Sequence, residues 1–104
     1  REARLDIRRE QDLARIARLV QAHYGRTGEL PASLDALATP GTGLPRDPVD
    51  GVSYGYQATG ERSYRLCARF GTDTARDGRQ PFGGDAWLHG SGTHCFDRRV
   101  HAER

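Results

Sequence analysis

Methionine and lysine are absent from these 104 residues, cysteine occurs twice and tryptophan once. Without a Met at residue 1, the stretch is expected to be a piece of a longer protein. All 16 basic residues are Arg. They are scattered along the chain and read as coding bias in a GC-rich bacterial genome rather than as a dedicated anion site. No apolar run approaches the ~20 residues that cross a bilayer, which excludes a membrane span within this stretch. Hydrophobic residues make up only 36% and mean hydropathy is −0.77, so the core must be small. A net charge of +2 with both signs interspersed argues against a nucleic-acid-binding face.

What is present reads as a helix, then turns, then strands. Residues 1–24 contain no Gly or Pro and are rich in Ala, Leu, Arg, Glu and Gln, all good helix formers. From Leu13, the residues Ile16, Ala17, Val20 and Tyr24 follow at three- and four-residue steps and line one face. Running that face backward reaches Arg9 and Asp6, which are charged. The expectation is a packed helix over 13–24 and a projecting stalk over 1–12, with exposed pairs such as Arg8 with Asp12. Gly25 and Gly28 end the helix. Leu30 to Leu37 predicts a short second helix with Pro31 in its first turn. Arg46 to Gly51 is turn chemistry.

Strand periodicity begins at Val52. Val52, Tyr54, Tyr56 and Ala58 alternate with Ser53, Gly55 and Gln57, and Tyr64, Leu66, Ala68 and Phe70 alternate with Arg65, Cys67 and Arg69. Joined by the Gly60 turn, they predict an antiparallel hairpin over 52–70. A polar loop over 71–86 and a final strand region over 87–100 complete one domain spanning 1–104. The expected class is α+β, with a long N-terminal helix packed on a small antiparallel sheet.

Cys67 lies in the second predicted strand and Cys95, 28 positions on, in the last. If these strands are near neighbours, the usual reading in a small core-poor domain is a disulfide, worth about 3–4 kcal/mol on the chain-entropy model. Two buried thiols, or half of a zinc site completed by His89, His94 and His101, remain alternatives. A disulfide would place the chain in an oxidising space such as the periplasm or cell surface.

The order of signals resembles the soluble domain of a major type II secretion pseudopilin. The resembling residues are Asp12 to Tyr24, Thr27-Gly28-Glu29-Leu30-Pro31-Ala32-Ser33-Leu34-Asp35-Ala36-Leu37, Asp47-Pro48, Gly51 and Tyr54-Gly55-Tyr56. The pattern is also similar to extracytoplasmic tails of uncharacterised bacterial membrane proteins, which extends the likeness to Cys67 and Cys95. The resemblance implies a periplasmic domain anchored to the membrane through an upstream segment. It also implies self-assembly, or contact with other envelope proteins, through the N-terminal helix. Major pseudopilins bind calcium in a loop near the sheet, and Asp73, Asp77 and Asp85 occupy a comparable loop here; the bland reading is solvated acids.

Catalytic readings fare poorly. The carboxylates are scattered, and His94 beside Cys95 would point to the opposite face of a strand. No enzyme activity, no nucleic-acid partner and no cofactor beyond the calcium reading are expected. Trp87, Phe82, Tyr54 and Tyr56 are the candidates for an exposed aromatic binding surface, against the alternative that Trp87 and Phe82 fold the long loop onto the sheet and extend a thin core.

Overall fold

The computed structural model describes residues 1–102. Its first element is a long helix, α1 (Glu2–Thr27), which Gly28 terminates with φ 77° while its N–H bonds back to the Tyr24 carbonyl at 2.7 Å. That left-handed conformation suits glycine, and Gly25 lies inside the last helical turn. Leu13, Ile16 and Val20 on its inner face are completely buried. Each such side chain contributes about 1.5–3 kcal/mol of burial energy.

The described strands form a three-stranded antiparallel sheet in the order β1 (Gly55–Ala58), β2 (Ser63–Phe70), β3 (Gly92–Arg99). Alternation on β2 puts Tyr64, Leu66, Ala68 and Phe70 toward α1 and Arg65, Cys67 and Arg69 toward the other side. Leu66 faces Phe96 across the strand pair. Phe96 in turn meets the Trp87 ring at 4.9 Å and Phe70 at 6.1 Å, both edge-on. The core lies between this face and α1, closed by Leu34, Leu37, Tyr54 and Val100. The chain is an α+β domain with a long helix packed on an antiparallel sheet.

Four expectations need correction. The first turns of α1 do not project: Asp6 and Glu10 are completely buried, and Arg9 and Asp12 nearly so. The inward face continues past Leu13 with charged residues because each finds a partner inside the domain. The expected second helix is a single 3-10 turn, Leu34–Leu37, preceded by Ser33 in an extended conformation. The hairpin is shorter than 52–70, since pairing starts at Gly55 opposite Cys67 and leaves Val52 exposed. The segment 71–86 is not one loop. It holds a short helix α2 (Thr74–Asp77), capped by the Asp73 side chain and ended by Gly78, and enters a 3-10 turn at Asp85–Trp87.

Candidate functional site

Two constellations stand out: a buried ionic cluster under the first turns of α1, and a disulfide on the opposite face of the sheet. The cluster is built by helical spacing. Asp6, Arg9 and Glu10 precede Leu13 at the same three- and four-residue steps that continue to Val20, so they share its inward face. Asp6 accepts from Arg9 Nη1 at 2.8 Å, from the backbone N–H groups of Gly71 (3.0 Å) and Thr72 (2.7 Å), and from the Thr72 hydroxyl at 2.5 Å. Arg9 spans from Asp6 to Asp47, donating through Nε at 2.8 Å and Nη2 at 3.3 Å.

Glu10 collects a second set of donors. Arg79 reaches it with both terminal nitrogens at 3.2 and 2.5 Å, and the Phe82 N–H donates at 2.9 Å. His89 Nε2 lies 2.7 Å from Glu10 Oε2, while its Nδ1 lies 3.2 Å from the Gly90 carbonyl oxygen. Both ring nitrogens thus face oxygen atoms of the chain. The His89 ring stacks on Phe70 at 3.5 Å between centroids. A step away, the Tyr54 hydroxyl donates to Asp12 at 2.6 Å, and Asp12 also accepts from Arg8 at 3.2 Å.

These contacts set the electrostatics. Burial works against ionisation of Asp6, but the bonds from Thr72, Gly71 and Arg9 outweigh it and hold the carboxyl below its ordinary value of 3.8. Asp47 is likewise held low: burial raises it, while Arg9 and backbone N–H groups lower it further. Bonding to Asp47 outweighs burial at Arg9 and makes its guanidinium harder to deprotonate. Burial first, and then the Asp12 carboxylate, push the Tyr54 phenol upward. His94, whose Nδ1 accepts from the Gly90 N–H, is pushed below 6.5 by burial and by nearby His89, against a smaller opposing pull from Asp73.

The cluster's chemistry is that of a clamp. Both Glu10 oxygens and both Asp6 oxygens are occupied by donors from the chain itself. What they hold are the segments around Asp47, Thr72 and Arg79 to His89, three surface stretches tied to one helix. Paired buried charges of this kind cost desolvation, and removing one partner leaves the other stranded. Arg79 Nε is already buried without a hydrogen bond among the described residues.

The second constellation is the bridge that joins Cys67 to Cys95. The two residues are directly opposite in the β2–β3 register, with Cα atoms 4.0 Å apart. Gly55 occupies the same row on β1, where an added Cβ would lie 3.1 Å from the Cys67 Cβ. The missing side chain there makes room for the bridge. Arg65 and Arg69 flank Cys67 on this outer face, and Arg65 pairs with Asp97 at 2.8 Å. Cys95 is exposed and Cys67 half-buried, so the bridge staples the sheet from the solvent side and not from within the core. With both sulfurs in the bridge, neither the free-thiol reading nor the zinc reading through these cysteines holds.

The other sequence candidates separate. Asp73 caps α2 by accepting from the Arg76 N–H, Asp85 accepts from Gln80, and Asp77 is exposed near the C-terminus of α2. Among the described residues no three His, Cys, Asp or Glu side chains are placed to hold a metal ion. The four aromatic candidates do not form one exposed surface. Trp87 and Tyr54 are core residues, Tyr56 is half-buried and donates to the Pro31 carbonyl at 2.7 Å, and Phe82 alone of the four is exposed. The Arg98 guanidinium lies 4.4 Å above the Trp87 ring and bonds to the Ala86 carbonyl, sealing that edge.

Sequence reasoning missed Asp6, Arg9, Glu10, Asp47, Arg79 and His89. The helical period that located Leu13 and Val20 also ran through the first three, and only the assumption that a buried face must be apolar hid them. No local signal marked Arg79, and His89 was noted only as a possible zinc ligand. No family model, curated protein or solved structure matches this chain.

Proposed function

We propose that this chain is a non-enzymatic structural domain of a membrane-anchored bacterial envelope protein, pseudopilin-like in its architecture and working outside the cytoplasm. The observation that carries the reading is the cystine on the open face of the sheet, where reducing agents of a cytosol would reach it. The long helix on an antiparallel sheet, ended by Gly28 and followed by the Leu34–Leu37 turn, supports the pseudopilin likeness in element order. Described helices include none long and apolar enough to cross a membrane, so anchoring falls to sequence outside these residues.

The clamp favours a second reading, an extracytoplasmic sensory or binding tail of a multi-span membrane protein. Asp6, Arg9 and Glu10 couple one helix to three surface segments, and a displacement at either end would be felt at the other. The residues encoded upstream separate the two: one leader-processed apolar helix continuous with α1, or several membrane spans. Compartment is tested by fractionating cells that express the full-length protein and trapping thiols with a membrane-impermeant maleimide. The proposal expects an envelope fraction in which Cys67 and Cys95 react only after reduction. Free thiols in a cytosolic fraction would overturn it.

A further inference from the structure

Helix α1 sorts its charges by sign. Of its acids, Asp6, Glu10 and Asp12 are turned inward onto partners, and Glu2 alone is exposed. Its arginines, apart from Arg9, face the other way. Arg4, Arg8, Gln11, Arg15, Arg18, Ala22 and Arg26 follow at three- and four-residue steps and are all exposed, so they form one row on the outer face. At ~1.5 Å per residue the row is about 33 Å long. Arg8 leans on Asp12 at 3.2 Å, whereas Arg4, Arg15, Arg18 and Arg26 make no ion pair among the described residues. Five of the sixteen arginines are therefore gathered along one helix face, on a chain whose net charge is only +2.

We propose that this arginine row is a docking surface for the phosphate headgroups of an anionic lipid bilayer. A guanidinium presents a planar fork that matches phosphate oxygens, and a straight row needs no pocket to meet a flat, repeating array of them. A protein partner would want apolar anchors at the centre of the contact. The exposed large apolar residues, Val49, Val52, Phe82 and Leu88, all lie outside α1. A second copy of this face would carry the same sign and be repelled. Binding is peripheral, because the apolar face of α1 is already used on the sheet and cannot insert. The choice of lipid over nucleic acid, the other polyanion, rests on the extracytoplasmic reading above.

The test is co-sedimentation of the 104-residue chain with phosphatidylglycerol-containing vesicles and with pure phosphatidylcholine vesicles. Binding is expected to the anionic vesicles alone, to weaken as salt rises, and to fall roughly fivefold for each of Arg4, Arg15, Arg18 and Arg26 changed to Gln. Gln has nearly the helix propensity of Arg, so unchanged circular dichroism certifies the variants as folded. No binding, equal binding to both vesicles, or full binding by the fourfold variant would each overturn the assignment. Duplex DNA bound in place of anionic vesicles would overturn the choice of lipid. These outcomes are independent of the thiol-trapping result: vesicle binding by a protein found reduced in the cytosol would remove the envelope reading and leave the cationic surface standing.

Discussion

Glu10 is the residue on which the interior depends most, since Arg79, His89 and the Phe82 N–H all converge on it. Glu10→Gln keeps the shape, removes the charge and leaves Arg79 poorly compensated. The expected loss is about 3–5 kcal/mol of unfolding free energy, read by urea denaturation, against less than about 0.5 kcal/mol for exposed Glu2→Gln. Acid should act on the same interior in two windows. His94 sits below 6.5 in the folded chain, so its contribution is complete above about pH 6.5 and is lost as pH falls through that value toward the lower folded one. Asp6 and Asp47 lie below 3.8, so theirs is complete above about pH 4 and drains as pH falls through the depressed folded values. Melting temperature should therefore decline on acidification in both windows, and His94→Gln should remove the first decline. A wild-type melting curve that rises as pH falls below 6.5 would contradict the account.

At the scale of elements, alternation made β2 legible, because its inner row of Tyr64, Leu66, Ala68 and Phe70 is apolar and its outer row is not. The disulfide was legible only on the condition that the strands carrying Cys67 and Cys95 are neighbours, and the register sets the two residues directly opposite. The long helix was legible from composition, and its stop from Gly28. Its first turns were not, because burial of Asp6, Arg9 and Glu10 depends on partners that arrive 38 to 79 residues later in the chain. Trp87 and Tyr54 were ambiguous for a related reason: an aromatic side chain looks alike in sequence whether it covers a core or a ligand. The clamp makes its own prediction here. Glu10→Ala should speed amide hydrogen exchange across 79–90 by more than across the β2–β3 ladder, whose protection falls only with the global stability. Equal loosening of both, seen by mass spectrometry, would mean that Glu10 supports the whole core rather than one segment.

At the scale of the molecule, helix and cluster lie on one side of the sheet and the cystine on the other. The bridge closes a long loop and so stabilises mainly by restricting the unfolded chain, by about 3–4 kcal/mol. Because no core contact runs through it, reduction with dithiothreitol should proceed without denaturant and lower the melting temperature while far-ultraviolet circular dichroism is kept. Collapse of the spectrum on reduction would show that the inner face cannot stand alone. The organising idea is that the charged beginning of α1 belongs to the interior and fastens three surface segments to it. Urea unfolding of a chain that begins at Leu13 tests this most directly. That chain is expected to be unfolded, or to have lost several kcal/mol with the Asp6 and Glu10 attachments. An unchanged midpoint and slope, as a projecting stalk would give, would contradict it.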